Sequence, residues 1–600
     1  MKKVIFIFAI ILSLTVLSAC EKPHEWDTET EIRSITETES KTEATTETEK
    51  ITETETETEP APPEPTKGLK YTLLPDGTYA VKEGKDYFID VIVIPDTYEG
   101  KPVTQIMDNG FSNCRRAHTV IIPDSVTTIG YRAFWGCIAL KDVAFGKSVQ
   151  RIKGAAFSEC KELTSVELPS GLEAIDSEAF SRCTSLRRIN IPASVKSIGG
   201  HAFAECTSLK EVSLEDVESW CAIEFSNERA NPMWNSAEVF LDGGKLSNLV
   251  IPDGITKIGN YQFVGCVSIQ SVVLPESVTS IGQYSFGRCT KMKSVTIPDS
   301  VTSIDSGAFY KCTSLKDMTL PAYLNYVGVG VFSNCSSIES VVIPETMTVI
   351  ETNMFDCCSS LSSVTIPSSI TDIDGGAFMN CVKLSSVYIP DSVVNIGVGA
   401  FAGCTALKTV TLPQGVRYLQ GTFHNCTALE SVVLSDQTER IGENTFYQCT
   451  SLKSITIPDT VTEIGFCAFF GCSALEEIRI PKNLIYLGQG AFNYCGSLKE
   501  AVIPSGVRTI PSDTFRNCES LKTVTVEEGV QGIGQLAFAA CPLLETVSLP
   551  KTLESMGVRA FIGSSALKTV NYAGSEADWS KINGIDQAEI SSDAQITFEN

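Results

Sequence analysis

A cysteine that returns every 23 residues is the feature that most constrains how this 600-residue chain folds. Eighteen of the 22 cysteines lie on this lattice, in one run from Cys114 to Cys206 and a second from Cys266 to Cys541. A phenylalanine stands three residues before each of them, and a nineteenth, Phe561, precedes Ser564. Independent domains do not keep one period over such a length, whereas a period of about 20 to 50 residues is typical of solenoids. We therefore expect one array of stacked repeats.

The unit is written most plainly between Met292 and Cys312, as MKSVTIPDSVTSIDSGAFYKC. Burying its seven apolar side chains stabilises by roughly 10 to 20 kcal/mol, while ordering the unit costs on the order of 30 kcal/mol. One unit therefore cannot fold alone and depends on its neighbours. The short β-branched segment around Val295 predicts a strand of a parallel sheet, ended by Pro298 because proline has no N–H to donate. The following Val301-x-x-Ile304 indicates a second short extended piece.

The unit resembles a leucine-rich repeat, and the sequence IPDSVTSI followed by AFxxC more closely resembles the BspA-like class of bacterial leucine-rich repeat surface proteins. The resemblance covers about residues 68 to 600. It implies a β-rich solenoid, with a parallel β-sheet along its length and short turns or helical pieces on the return segments. It also implies a role in adhesion, since BspA-like proteins are implicated in adhesion to matrix and plasma proteins.

The N-terminus reads as a secretion signal, with two lysines followed by an apolar run. Its ending, Leu17-Ser18-Ala19-Cys20, resembles a bacterial lipobox, which implies that Cys20 carries a lipid and is the first mature residue. The alternative is an ordinary signal peptide with an incidental cysteine. Residues 21 to 67 hold 15 acidic and 5 basic side chains among alternating Thr and Glu. So polar and acidic a tract is predicted to be a disordered linker.

The 23-residue lattice breaks once, between Cys206 and Cys266, where Trp220 lies, and a related tryptophan pattern at Trp579 closes the chain. We interpret both tryptophan elements as packing devices. The predicted organisation is a lipoprotein signal peptide (1–19), an acidic disordered linker (20–67), an N-terminal cap with the first repeat (68–111), a first repeat block (112–214), a tryptophan-containing insertion (215–248), a second repeat block (249–570) and a C-terminal cap (571–600).

Several kinds of chemistry are disfavoured. The net charge of −25 argues against a nucleic-acid protein that works through a basic surface. We expect no cofactor, metal site or catalytic residue. The chain has only four histidines, and it contains neither a Cys-x-x-Cys pair that would bind a metal nor a hydrolase motif. The three histidines of the array are expected on the surface. Lattice cysteines of neighbouring repeats would lie about 4.8 Å apart, a spacing that suits buried thiols better than disulfides, and we call this column the cysteine ladder. Cys221, Cys357 and Cys467 do not belong to the ladder.

The outward column of the first strand is the predicted binding face, and it is weakly polar and β-branched. Its candidate residues are Thr296, Thr319, Thr365, Tyr388, Thr411, Thr456 and Arg479. Solenoids usually bind large partners through such repetitive surfaces, although Thr and Val also simply suit a strand.

The sequence predicts a surface lipoprotein on the outer face of a bacterial cell, held to the membrane by its lipid. It is expected to bind an extracellular protein or glycan in adhesion, and not to be an enzyme. The alternative is an envelope scaffold or spacer without a specific ligand. A carbohydrate-active enzyme has the least support, since no departure from the repeat could house a carboxylate pair.

Overall fold

The computed structural model describes residues 63–84 and 89–599. The predicted signal peptide, Cys20 and residues 20–62 of the predicted linker lie outside the described residues. Within the last linker residues, the N–H of Thr66 donates to the carbonyl of Val93 (2.9 Å), and the Thr66 hydroxyl accepts from the Val93 N–H (2.8 Å). These bonds join Thr66, a residue of the predicted linker, to the first strand of the array.

The described chain is a parallel β-solenoid in which each unit forms one coil, so the predicted fold class is confirmed. Each coil carries two short strands. In the unit that starts at Met292, these are Ser294–Thr296 and Ser303–Ile304. Val295 pairs in register with Val272 and Met318 of the neighbouring coils, and Ile304 pairs with Ile281 and Val327. The second extended piece predicted from the sequence thus forms a parallel ladder of its own.

The first strands of successive coils form one face of the solenoid, which we call the first-strand face. They are Val91–Val93, Thr119–Ile121, Asp142–Ala144, Ser165–Val166, Arg188–Ile191, Glu211–Leu214, Glu238–Leu241, Asn248–Val250, Ser271–Val273, Ser294–Thr296, Asp317–Met318, Ser340–Val342, Ser363–Thr365, Thr409–Thr411, Ser431–Val433, Ser454–Thr456, Glu477–Ile478, Glu500–Ile503, Thr523–Val526, Thr546–Leu549, Thr569–Tyr572 and Gln595–Phe598. Ser386 joins them through an isolated bridge to Thr409. Gly244–Lys245 folds back antiparallel on Glu238–Leu241.

The second strands form a second ladder, which we call the second-strand face. They are Lys101–Ile106, Thr128–Ile129, Arg151–Ile152, Ala174–Ile175, Ser197–Ile198, Glu224–Phe225, Lys257–Ile258, Ser280–Ile281, Ser303–Ile304, Tyr326–Val327, Val349–Ile350, Asp372–Ile373, Asn395–Ile396, Tyr418–Leu419, Arg440–Ile441, Glu463–Ile464, Tyr486–Leu487, Thr509–Ile510, Gly532–Ile533 and Ser555–Met556.

A β-hairpin covers the N-terminal end of the array. Strands Lys70–Leu73 and Tyr79–Lys82 pair antiparallel across the predicted Asp-Gly turn, in which the Asp76 carboxylate accepts the N–H of Thr78 (3.0 Å). The second hairpin strand pairs parallel with Lys101–Ile106, which also receives the short antiparallel strand Thr97–Tyr98. The hairpin thus occupies the edge that the first coil would otherwise expose.

The α-helices of the described residues are short and contain the two repeat-flanking tryptophans: Val217–Cys221 and Glu576–Trp579. The 3-10 helices are Glu228–Ala230, Pro232–Asn235 and Ile585–Gln587. Trp220 is buried and packs on Phe225, with ring centroids 5.2 Å apart. Trp579 packs on Tyr572 at 5.3 Å. The packing role predicted for both tryptophans is confirmed.

The core consists of ladders that run from coil to coil. The nineteen phenylalanines are buried, and successive rings within each block stack with centroids 5.1 to 5.9 Å apart. Each phenylalanine is flanked by two residues with positive φ, one two positions before it and one two positions after it. Glycine or Asn, the residues that favour the left-handed region, fills about half of these positions. Other residue types, such as Arg132, Tyr284 and Leu536, adopt the same conformation in the remaining units. The off-ladder Cys357 and Cys467 both occupy such positions, with φ of 58° and 49°.

The ladder cysteines are buried, as predicted, but they do more than fill space. From Cys137 to Cys206 and from Cys289 to Cys541, each thiol donates to the carbonyl of the phenylalanine in the preceding coil, over 3.1 to 3.3 Å. Ser564 takes the same place in the last unit, and its hydroxyl donates to the carbonyl of Phe538 (2.8 Å). The column is therefore a column of hydrogen-bond donors.

Candidate functional site

The first-strand face places the predicted binding residues in one exposed column. Thr411 pairs in register with Val433, which pairs with Thr456. Thr319 and Arg479 directly follow the strands of their coils and remain exposed. Tyr388 is strongly exposed, with 73% of its surface accessible. All seven predicted residues are exposed, so the structure brings them to one surface.

Valines that were not among the candidate residues interleave with them in the same column. The exposed members are Val250, Val273, Val342, Val433 and Val502. Val342, with 66% of its surface accessible, pairs directly with Thr365. Among these valines, Val250 and Val273 lie in neighbouring coils about 4.8 Å apart, and the others are separated by coils that carry Thr, Tyr or Arg. The column is therefore a mixed apolar and polar surface, and several exposed apolar side chains on one face are typical of protein interaction sites. We call this column, together with the seven predicted residues, the valine-threonine ridge.

The second-strand face carries a polar and aromatic column that sequence reasoning did not identify. Tyr418, Arg440, Glu463 and Tyr486 pair in register in four consecutive coils. Arg440 forms an ion pair with Glu463 (2.7 Å), and the Tyr418 hydroxyl donates to Glu439 (2.8 Å). The sequence gives no signal for this column, because the same position carries residues of mixed size and charge in other coils, such as Arg151, Ser280 and Tyr326.

A shallow cavity of about 140 Å³ opens beside this column. It is lined by Glu443, Glu463, Gly465, Phe466 and Tyr486. Phe466 and Tyr486 are 44% and 53% exposed, although both are large apolar or aromatic side chains. We call this feature the Phe466 cavity.

A strip of stacked rings lies on the turns of the same coils. His424 stacks on Tyr447 with centroids 4.7 Å apart, Tyr447 stacks on Phe470 at 4.8 Å, and Tyr494 lies tilted against Phe470 at 5.3 Å. His118 and His201 are exposed, and the His424 ring is half-buried in this strip. That burial lowers the pKa of His424 and favours its neutral form.

A buried carboxylate, Asp356, lies on the turn side of the coil that contains Cys357. One of its oxygens accepts from the Ser333 hydroxyl (3.4 Å), and the other has no hydrogen-bond partner. Desolvation raises the pKa of Asp356. Burial likewise raises the pKa of the Cys206 and Cys404 thiols to about 12, so these two cysteines stay protonated and unreactive at neutral pH.

Two kinds of feature are not found within residues 63–84 and 89–599. No group of three or more His, Cys, Asp and Glu side chains there is placed to hold a metal ion. In the same part of the chain, every helix is too short or too polar to cross a membrane.

A family model described as the BspA type leucine rich repeat region (6 copies) matches residues 103–230, 236–360, 330–453 and 439–568. No curated protein matches the chain. Among solved structures, the chain is similar to a leucine rich cell surface protein from Faecalibacterium prausnitzii A2-165, at 22% identity over 88% of this chain and 97% of that chain, with a TM-score of 0.30. It is also similar to a leucine-rich repeat protein from Bacteroides ovatus ATCC 8483, at 22% identity over 89% and 99% of the two chains, with a TM-score of 0.31. The pneumococcal vaccine antigen PcpA matches at 19% identity over 56% of this chain and 93% of that chain, with a TM-score of 0.36.

Proposed function

Because the chain belongs to the BspA-type leucine-rich repeat family, we propose that it is a bacterial cell-surface adhesin that binds an extracellular partner protein through the valine-threonine ridge. The observation that carries the proposal is the row of exposed valines on the first-strand face. Burying a valine side chain against a partner contributes about 1.5 kcal/mol or more, and the flat repetitive ridge suits a large protein surface. The threonines, Tyr388 and Arg479 of the ridge also offer hydrogen-bonding groups that a glycan would use, so the choice of a protein partner rests on the exposed valines.

The proposal includes the anchor. Cys20 would carry the lipid, and the acidic linker would hold the array away from the membrane. Cys20→Ala should then release the protein into the culture medium, whereas wild type fractionates with the membrane. Retention of the variant at the membrane would contradict the lipid assignment. It would not affect the binding proposal, which has a separate test.

Binding is tested with purified mature protein carrying Cys20→Ala, incubated with fibronectin, fibrinogen, mucin and a glycan panel. We expect saturable binding to a protein that persists at physiological salt. If none of these molecules binds, the result favours the spacer alternative. If only glycans bind, the result contradicts a protein partner.

The ridge itself is tested with the double variant Val342→Lys and Val433→Lys. Two buried charges at the interface should weaken binding at least about tenfold. The matched control is the double variant Val329→Lys and Val398→Lys, which introduces the same two charges at exposed valines away from the first-strand face. Equal binding by the double variant and wild type would place the interface elsewhere.

A further inference from the structure

The Phe466 cavity combines exposed aromatic rings with carboxylates on two adjacent coils. Glu443 and Phe466 occupy the same position of consecutive coils, and Glu463 pairs in register with Tyr486. Equivalent residues of neighbouring coils are about 4.8 Å apart. A Cβ on Gly465 would lie 2.6 Å from the backbone N of Glu443, so glycine is what lets the two coils approach this closely.

The charges around the cavity do not cancel. Glu463 is neutralised by Arg440, whereas the Glu443 carboxylate forms no ion pair or hydrogen bond with any residue in the described part of the chain. The lining therefore carries about one uncompensated negative charge next to two exposed aromatic rings. Aromatic faces attract cations through their quadrupole.

The hydrogen-bonding groups of the lining are mostly acceptors. Two carboxylates accept only, and the Tyr486 hydroxyl is the sole side-chain donor among the residues that line the cavity. Sugar hydroxyls both donate and accept, so a sugar would leave most of its acceptors without a partner here. A lysine ammonium has three donors and no acceptor, which matches this lining.

We infer that the Phe466 cavity is a binding site for a lysine side chain of a partner protein, with the ammonium at Glu443 and over the rings of Phe466 and Tyr486. The inference rests on the proposed function in one respect, namely that the lysine belongs to a protein partner. The site is on a different face from the valine-threonine ridge, so the test of one surface does not depend on the result for the other.

The test uses the mature protein with Cys20→Ala and three small probes: Nα-acetyl-lysine methylamide, its neutral analogue Nα-acetyl-norleucine methylamide, and methyl glucoside. Saturation-transfer NMR at 0.15 M salt detects millimolar binding to a protein of this size. We expect saturation of the lysine side-chain methylenes and none for the other two probes. Equal signals from the norleucine probe would mean an apolar pocket, and a signal from methyl glucoside alone would mean a sugar site; both overturn the inference.

Two variants locate the binding. Glu443→Gln removes the charge, and Phe466→Gln removes the ring; both introduce the residue that stands at this position in nearby coils, Gln420 and Gln489, so both should fold. Each should weaken lysine binding at least about fivefold. The control Glu345→Gln removes one exposed charge far from the cavity and should leave binding unchanged. Equal weakening by the control would mean attraction to the acidic surface in general, which contradicts a defined site. Because the probe is a free amino-acid amide, a negative result leaves the proposed function standing.

Discussion

Trp220 and Gln262, which are 42 residues apart in the sequence, are joined by two hydrogen bonds. The indole N–H of Trp220 donates to the backbone carbonyl of Gln262 (2.9 Å), and the Gln262 side-chain amide donates back to the carbonyl of Trp220. Both residues are fully buried. Asn231 adds a third bond, from its side-chain amide to the same Gln262 carbonyl (2.9 Å). This pair links the tryptophan helix to the first phenylalanine unit of the second repeat block.

Gln262→Leu should weaken the connection between the two repeat blocks. It removes the amide donor and leaves the buried Trp220 carbonyl without that partner, at a cost of about 1 to 3 kcal/mol. In a repeat array, weakening one interface separates the unfolding of the segments on either side. We expect calorimetry to show two transitions in place of one broad transition, and proteases to cleave first between residues 217 and 248. The control is Gln283→Leu, an amide at a half-buried surface position, which should leave the transition unchanged.

The thiol hydrogen bond predicts which substitutions of Cys312 destabilise the fold most. The Sγ of Cys312 lies 3.1 Å from the carbonyl oxygen of Phe286. Cys312→Ala removes the donor and leaves a small void, which should cost roughly 1 to 2 kcal/mol. Cys312→Ser keeps a donor in the geometry that Ser564 already shows and should cost less. Thermal denaturation compares the variants. If serine destabilises as much as alanine, the cysteine acts only by packing.

Gly399 occupies the left-handed position two residues before Phe401, and this conformation determines which residues can replace it. Its φ is 65°, and an added Cβ would meet only ordinary contacts, so the effect of substitution is conformational. Gly399→Asn should be nearly neutral, because Asn109, Asn353 and Asn444 hold the equivalent position at positive φ. Gly399→Val should destabilise by roughly 1 to 2 kcal/mol, since a β-branched residue is strained there. Equal midpoints in urea for the two variants would contradict this account.

Asp356 predicts a pH-dependent gain in stability on substitution. Its pKa is raised in the folded protein, so its contribution to stability is fully present below the unfolded value of about 4 and is lost as pH rises through the folded pKa. Asp356→Asn should therefore raise the melting temperature at pH 7 relative to wild type, and the gain should shrink towards pH 3.5. The exposed Asp391→Asn serves as the control. A gain that is the same at both pH values would show that the Asp356 charge is not responsible.

The residues that predicted the fold are those that every coil must repeat. The positions of Val295, Ile304, Phe309 and Cys312 recur because each buried side chain contacts its own counterpart in the next coil. The hydrogen-bonding role of the thiols was not predicted, since cysteine at an apolar position reads as a small apolar residue.

Surface features followed from the sequence less completely. The first-strand column could be predicted because alternation within a strand determines which side chains point outwards. The Phe466 cavity could not, because outward residues on the second strand need not repeat. Its chemistry depends on Glu443 and Phe466 being brought together by register from coils 23 residues apart.

The thiol-to-carbonyl bonds also determine how such an array can change its length. Their donor always lies in the later coil and their acceptor in the earlier one, so the same bond crosses each interface from Cys289 to Cys541. If one whole 23-residue unit is deleted or duplicated, this bond can form again across the new interface. Recombination between the repeated stretches of the coding sequence can therefore shorten or extend the molecule in steps of about 4.8 Å and keep the column of thiol bonds.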